Sequence, residues 1–292
     1  RCLCALRRPF SSHIWTFQLW GIGEMMTIQD AVEAVKGDQG GAVEALANAL
    51  DSCADLAAEI ANHCRQTKAS VGPYIAAILQ ASPTTTPQGR RHRMTTVQTL
   101  VDLVGSRQMP GERIMSAINV VLEEMDNLSD EQCTTLTLAV LHQIRALCIF
   151  YEEQEEQDGM ANGAAMPEGP FRLLDVLPKI WSMVSRLSSV HTVSSDGSRI
   201  TTREEFKDHI IGHLCTLQWP RSMAVKFSSL FKELDMTPEQ TKKALQKLLH
   251  VLQTNSKLQE MPPLIYQMVS LAAKGNRAVA LQGITSHFSQ LE

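Results

Sequence analysis

His209, His213 and Cys215 are the residues in this sequence whose types and spacing come closest to those of a metal site. Histidines four residues apart share one face of a helix, which is the spacing that helical zinc ligands use. The zinc-protease helix also requires Glu directly after the first histidine, and Ile210 occupies that position. The histidines are therefore interpreted as packing or surface residues, and no metal or cofactor is predicted.

The cysteines and the motif content do not indicate an enzyme. The chain has seven cysteines, with no close pair except Cys2 and Cys4, which is typical of reduced thiols inside the cell. The sequence shows no glycine-rich phosphate loop, no paired carboxylates in a plausible cleft and no G-x-S-x-G motif. Five cysteines lie in apolar helical patterns, where a free thiol is usually a small buried hydrophobe: Cys53, Cys64, Cys133, Cys148 and Cys215.

Arg90, Arg91 and Arg93 flank His92 and form the densest basic cluster. Guanidinium groups bind DNA phosphates without sequence specificity. Three cations at the start of a helix oppose its dipole, so they are not there to stabilise the helix. The alternative is an ordinary solvated helix start. A second candidate DNA-binding stripe, for which a solvated face is the simpler interpretation, consists of Lys242, Lys243 and Lys247.

The charge balance does not by itself predict nucleic-acid binding. Residues 201–292 carry 11 Lys and Arg against 8 Asp and Glu, whereas the rest of the chain carries 16 against 23. Neither part is strongly basic. Any DNA contact must therefore come from local clusters.

Helices must position these side chains. The chain has 292 residues, of which 44% are hydrophobic and only 5% aromatic, and its apolar residues recur with helical spacing. In the second half, helix starts near Thr202, Pro220, Thr237, Pro262 and Asn276 are about 14 to 25 residues apart, close to the HEAT and armadillo scale. An all-α solenoid of stacked antiparallel helical hairpins is predicted. An irregular helical bundle is the alternative.

Local signals locate several of these helices. Thr202 with Glu205, and Thr237 with Gln240, form predicted capping boxes, and Pro220 opens the helix between them. A kink is expected at Pro178, and no segment is expected to span a membrane. One helix is expected to bury the face that carries Met94, Val97, Leu100, Val101 and Val104.

Aperiodic stretches divide the chain. Residues 1–24 are predicted to be disordered. They resemble a targeting presequence, although a truncated or mistranslated upstream segment, with Met25 or Met26 as the real start, is the preferred interpretation. Residues 25–82 form a helical cap and 90–292 a first solenoid segment. Within the latter, the acidic, glycine-bearing residues 152–169 are predicted to be a disordered loop, and 188–198 form a second polar connection.

Pro262 and Pro263 form a stiff corner at the start of an apolar helix. Two fixed φ angles end the preceding helix and set the direction of the next one. Gly275 is predicted to supply the left-handed turn at the far end of that helix. In a solenoid such corners determine the rotation between layers.

These same residues carry a family resemblance. The segment PPLIYQMVSLAAKGNRAVALQGITSHFSQLE, with EEFKDHIIGHLCTLQWP and SLFKELDMTPEQ upstream, resembles the N-terminal solenoid of the Fanconi anaemia group I family. The resemblance is most specific over residues 201–292. It extends to 71–126, where RRHRMTTVQTLVDLV and GERIMSAINVVLEEM are similar to the family's basic loop and following helices.

The resemblance implies a function for the chain. Members of this family are large nuclear α-solenoids that pair with the paralogous group D2 protein, close around DNA, and are monoubiquitinated during interstrand crosslink repair. For this chain, the resemblance implies a non-enzymatic nuclear scaffold segment whose partners are the D2 paralogue and double-stranded or branched DNA. It also implies that the ubiquitin-acceptor lysine lies beyond the end of this chain. The alternative is a general protein-interaction solenoid without a nucleic-acid role.

Overall fold

Helices make up nearly all of the computed structural model, which describes residues 26–67, 71–106, 111–157, 170–194, 197–254, 261–272 and 277–289. The structure is 79% helical and contains almost no strand. The α-helices are α1 (Ile28–Lys36), α2 (Ala42–Ser52), α3 (Leu56–Gln66), α4 (Val71–Gln80), α5 (Pro87–Gly105), α6 (Gly111–Glu123), α7 (Asp130–Gln157), α8 (Leu177–Val184), α9 (Arg203–Thr216), α10 (Arg221–Glu233), α11 (Pro238–Thr254), α12 (Met261–Ala272) and α13 (Arg277–Ser289). Short 3-10 helices span Met125–Asn127 and Pro170–Val176.

Alternate helices fall into two layers. In one layer α3, α5, α7, α9, α11 and α13 each contact the next member of the series. In the other, α4 contacts α6, the 3-10 helix Pro170–Val176 links α6 to α10, and α10 contacts α12. This neighbour-to-neighbour stacking of helical hairpins confirms the predicted α-solenoid. The helices α1 and α2 pack on α4, so the predicted cap continues the second layer.

Side-chain caps start two helices where the sequence predicted them. Thr202 Oγ1 accepts a hydrogen bond from the Glu205 amide at 3.2 Å, and Glu205 Oε2 accepts one from the Thr202 amide at 3.1 Å. Thr237 and Gln240 exchange the same pair of bonds at 3.3 and 3.0 Å. Pro220 directly precedes α10. Both capping boxes are confirmed, and they define the first turns of α9 and α11.

A tight turn leads into α5. Thr86 caps the helix by accepting a hydrogen bond from the Gly89 amide at 3.0 Å, and Pro87 occupies the first turn. Gly89 is buried against the preceding turn, where a Cβ atom would clash with the carbonyl oxygen of Pro83 and lie 2.8 Å from Thr86 Oγ1. The turn and the helix are therefore in direct backbone contact.

The buried face of α5 differs from the prediction at its first position. Met94 is 62% exposed because it lies in the early turns of α5, where most positions are exposed and the packing against the preceding turn uses Gly89 and Arg93 instead. The other four predicted positions are buried: Val97, Leu100, Val101 and Val104. Helical periodicity predicted the face correctly but not how far along the helix its neighbours cover it.

The helix α7 is longer than predicted. It continues to Gln157, six residues into the segment 152–169 that the sequence assigned to a loop. A run of Glu and Gln has good intrinsic helix propensity, which extends a helix that is already packed along its length. Residues 158–169 lie outside the described part of the chain.

The apolar character of α7 also contradicts the expectation that no segment could span a membrane. Residues Asp130–Glu153 are long and apolar enough to do so by length and composition. Half of that apolar window is buried inside the protein, where α7 packs against α5, α8 and α9. We therefore assign α7 as the central core helix of the solenoid.

The region between α7 and α9 departs from simple hairpins. In place of a helix kinked at Pro178, a 3-10 helix ends at Val176 and α8 begins at Leu177 with the proline in its first turn, where its missing N–H costs little. The polar connection 188–198 contains the strand β1 (Thr192–Val193), which pairs antiparallel with β2 (Arg199–Ile200) directly after it. Two-residue strands are too short to give a clear alternating pattern in the sequence.

Pro262 and Pro263 lie in the first turn of α12, both exposed, while Leu264 is buried. The apolar helix predicted after the double proline is therefore present. Gly275, the other half of the predicted corner, and residues 1–24 lie outside the described residues.

Candidate nucleic-acid interface

The first turns of α5 present two of the three predicted arginines to solvent. Arg90 and Arg91 are both exposed. One guanidinium nitrogen of Arg90 donates to the Thr84 carbonyl oxygen at 2.9 Å, which leaves other N–H donors of the same group available. Arg91 has no hydrogen bond or ion pair to any residue that the structure describes.

Arg93 occupies a different environment from its two neighbours. Its side chain is only 17% exposed and forms an ion pair with Glu124, which is 18% exposed. Its remaining donors bond the carbonyl oxygens of Leu79 at 3.0 Å and Ser82 at 3.3 Å. Arg93 therefore links α5 to three places: the end of α4 through Leu79, the following turn through Ser82, and the end of α6 through Glu124. The spacing of the three arginines in the sequence suggested one exposed cluster. In the structure only Arg90 and Arg91 are exposed.

A groove adjoins the exposed arginines on the side of the cap. It has a volume of about 340 Å³ and lies between the α2–α3 turn and α5, with Arg91 and His92 on one wall and Asp51 and Asp55 on the other. His92 Nε2 lies 3.4 Å from Asp51 Oδ1. Because the opposite wall is acidic, a phosphate would reach Arg91 from its outer side and not through the groove.

The three predicted lysines of α11 also differ from one another. Lys242 is exposed and has no hydrogen bond or ion pair within the described ranges. Lys243 Nζ lies 3.5 Å from Asp208 Oδ2 on α9. Lys247 is half-buried: its Nζ donates to the Leu217 carbonyl oxygen at 2.6 Å and lies 5.2 Å from the centroid of the Trp219 ring. Burial lowers the pKa of Lys247.

The two basic groups lie in one layer but are not adjacent. From α5 to α11 there are three helix-to-helix steps, through α7 and α9. At the usual 8 to 10 Å per step the separation is about 27 Å. No single phosphate could contact both groups, whereas a duplex of about eight base pairs would span them, since each pair rises by about 3.4 Å.

In the described part of the chain, the histidine pair has no third metal ligand beside it. The ring centroids of His209 and His213 are 6.4 Å apart. Burial lowers the pKa of His213, and the nearby basic side chains of His209, His142 and Arg145 lower it further. Within the described ranges, no group of three or more His, Cys, Asp or Glu residues could hold a metal ion.

The described cysteines are free thiols. Cys64, Cys133 and Cys148 are buried, while Cys53 and Cys215 are half-buried. Burial raises the pKa of Cys64, Cys133 and Cys215 to about 11 and that of Cys148 to about 12. These groups are protonated at neutral pH, which is the opposite of what a nucleophilic thiol requires.

Sequence reasoning missed one exposed basic pair between the two predicted groups. His142 and Arg145 lie on the outer side of α7, without an ion pair to any described residue. The only signal in the sequence is that they share a helical face with the exposed Glu131, at spacings of 11 and 14 residues. That signal is weak inside so apolar a helix.

Comparisons with known proteins agree with this architecture. The family model described as FANCI solenoid 1 matches residues 90–292. The chain is 26% identical over 238 residues to the Fanconi anemia group I protein homolog of Mus musculus, a match that covers 82% of this chain and 16% of that protein. It is 24% identical over 215 residues to the Fanconi anemia group I protein of Gallus gallus, which covers 74% of this chain and 14% of that protein. The chain belongs to the Fanconi anaemia group I protein family.

Proposed function

We propose that this chain is a non-enzymatic scaffold segment that acts in the nucleus, pairs with the paralogous group D2 solenoid, and contributes to holding double-stranded or branched DNA. Family membership supports a scaffold role in the Fanconi pathway. The stacked layers support it too, because a solenoid offers long continuous surfaces to extended partners. The DNA and D2 assignments rest on the family resemblance together with the surface described above.

The exposure of Arg90, Arg91 and Lys242 on one layer is the observation that carries the DNA assignment. Such charges contact phosphates without reading bases. Arg93, Lys243 and Lys247 were predicted with them, but each has a partner within the protein. We assign these three to the support of the fold and restrict the proposed DNA contact to the three exposed cations.

Changing Arg90 and Arg91 together to Glu is expected to abolish weak, sequence-independent DNA binding and to leave the melting temperature nearly unchanged. Two or three phosphate contacts give a slope of log K against log salt of about −2 to −3, with a Kd no tighter than about micromolar at physiological salt. Exposed charges contribute little to folding, which explains the unchanged stability. Fluorescence anisotropy with one labelled duplex and one branched DNA, at several salt concentrations, measures the effect.

A double variant with the same charge change serves as the control. Lys179 on α8 and Arg199 on β2 are exposed and lie outside the layer that carries the proposed contact. Changing both to Glu should weaken DNA binding much less. Equal losses in the two double variants would contradict a localised contact. No binding by the wild type at low salt would favour the general protein-interaction scaffold.

Replacing Pro262 and Pro263 by Ala is expected to weaken association with a recombinant D2 paralogue about fivefold, which is about 1 kcal/mol. The substitution removes two fixed φ angles at the start of α12 and so relaxes the direction of that helix. Helix content should stay the same, because Ala is a good helix former. Surface plasmon resonance and far-UV circular dichroism give the two readouts.

Pro238 provides the matched control for losing a proline at a helix start. It is exposed at the first position of α11. Its change to Ala should leave the affinity for the paralogue unchanged. If the double variant binds as tightly as wild type, the corner at α12 plays no part in pairing.

A further inference from the structure

Three hydroxyl residues in the chain directly precede a proline: Ser82, Thr86 and Thr237. A proline-directed protein kinase phosphorylates a hydroxyl in this position and recognises the proline by its fixed φ angle and missing backbone N–H. The hydroxyl must also be accessible, on a segment that can extend into the cleft of the kinase. The structure gives the three residues very different surroundings.

Ser82 and Thr237 are poorly available to a kinase. Ser82 is fully buried, and its hydroxyl donates to the Ile78 carbonyl oxygen at 2.7 Å. Thr237 is exposed, but the preceding residue, Met236, is buried in the core. The reciprocal bonds of the capping box also hold Thr237 to Gln240. Extending this segment would break both bonds and expose the methionine.

Thr86 lies in an open segment. Residues 83–88 are all exposed, and the backbone of Thr86 is already extended, with φ −99° and ψ 147°. Its hydroxyl oxygen accepts one capping bond, from the Gly89 amide at 3.0 Å, and Gly89 has no side chain that could return a second one. Fewer capping bonds therefore hold Thr86 in place than hold Thr237.

A guanidinium group lies beside this segment. Arg90 donates to the carbonyl oxygens of Thr84 at 2.9 Å and Thr85 at 3.4 Å. Thr86 and Arg90 are four residues apart, so they are neighbours across the first turn of α5. Both bonds come from one nitrogen, which leaves other N–H donors of the group available for an anion. Neither Thr86 nor Arg90 lines the groove that carries the acidic wall.

We infer that Thr86 is the acceptor for a proline-directed protein kinase and that Arg90 binds the resulting phosphate. The γ-phosphoryl group of ATP is transferred to Thr86 Oγ1, the hydroxyl proton passes to the kinase, and ADP leaves. The new group carries a charge of about −1.5 to −2 and forms charge-assisted hydrogen bonds with a guanidinium. At Thr237 the same group would be two residues from the carboxylate of Glu239.

The modification has a regulatory consequence that rests on the proposed function. Arg90 is one of the three exposed cations to which we assign the DNA contact. A phosphate bound to Arg90 occupies the donors that a DNA phosphate would use, and its charge repels the DNA backbone. Phosphorylation of Thr86 therefore weakens the DNA contact at this end of the layer.

The full chain, incubated with ATP and a purified cyclin-dependent or mitogen-activated protein kinase, tests the acceptor. Mass spectrometry of timed digests gives the rate at each hydroxyl. Thr86 is expected to react about tenfold faster than Thr237, where one more capping bond must break. Ser82 should stay unmodified. No phosphate on Thr86 with either kinase, equal rates at Thr86 and Thr237, or labelling of Thr84 or Thr85 instead would overturn the inference.

Phosphorus NMR of the modified chain tests the role of Arg90. Phosphothreonine has a second pKa of about 6, and a neighbouring guanidinium lowers that pKa because it favours the dianion. Arg90→Met should raise the pKa of the phosphate back towards 6, whereas Arg91→Met, the matched control, should leave it lowered. A pKa that Arg90→Met does not change would show that Arg90 does not bind the phosphate.

DNA binding by the modified chain separates this inference from the proposed function. With one labelled duplex, phosphorylation of Thr86 should weaken binding and reduce the slope of log K against log salt by about one. Unchanged binding after phosphorylation would overturn the regulatory consequence. A chain that binds no DNA even before modification would contradict the proposed function but not the modification site, which the kinase and NMR experiments decide.

Discussion

Gly89→Ala is expected to lower the free energy of unfolding by about 3 kcal/mol, at the upper end of the usual cost of overpacking. The added Cβ would clash with the Pro83 carbonyl oxygen and lie 2.8 Å from Thr86 Oγ1. The Pro83 oxygen belongs to the backbone and the Thr86 hydroxyl caps α5, so the turn itself would have to shift to relieve the clash. Urea unfolding followed by circular dichroism measures the change through the midpoint at constant m-value.

The same substitution at Gly212 is the matched control. Both glycines lie in helices, but the position of a Cβ at Gly212 is open. Ala there should raise the free energy of unfolding by about 0.5 to 1 kcal/mol. If the two variants shift stability in the same direction, the close approach of Gly89 to Pro83 does not constrain the fold.

Arg93→Met is expected to lower the free energy of unfolding by about 3 kcal/mol. The change removes the partner of Glu124 and the donors to the Leu79 and Ser82 carbonyl oxygens. Since the Glu124 side chain is only 18% exposed, its charge is left poorly solvated. Arg91→Met, on the exposed neighbour, should change stability by less than about 0.5 kcal/mol.

A double-mutant cycle tests the mechanism at Arg93. Glu124→Leu alone leaves the guanidinium without its carboxylate, and combining it with Arg93→Met removes both charges. The double variant should be more stable than the sum of the single effects predicts, because no isolated charge remains. Strict additivity would show that the pair does not act as a unit and that the bonds to the backbone carry the whole effect.

Local signals in the sequence were sufficient to predict most of the helices and several of their first turns. Both capping boxes and the proline at Pro220 depend on residues within one turn, so their prediction needed no knowledge of the fold. The alternation of helices with short connections likewise indicated a solenoid. Burial near the ends of helices was harder to predict from the sequence, because it depends on how far the neighbouring helices extend. The exposed Met94 and the longer α7 are examples.

The candidate site could be predicted only in part, because the fate of each cation depends on distant residues. Arg91 and Arg93 are two positions apart, yet the partner of Arg93 is Glu124, 31 residues further on. Lys247 similarly bonds the carbonyl of Leu217, 30 residues earlier. A run of basic residues indicates available charge; only the packing shows which charges face solvent.

The partnership of Arg93 with Glu124 also bears on how variants of this protein would be interpreted in cells. An Arg91 substitution should give a normally abundant protein that lacks a surface contact. An Arg93 substitution should give a protein that is cleared by quality control, since a loss of 1 to 2 kcal/mol can already change abundance several-fold. Under the proposed function the two alleles would share a phenotype in a repair assay. They would differ on an immunoblot, and only the Arg93 allele would respond to lower growth temperature or to proteasome inhibition.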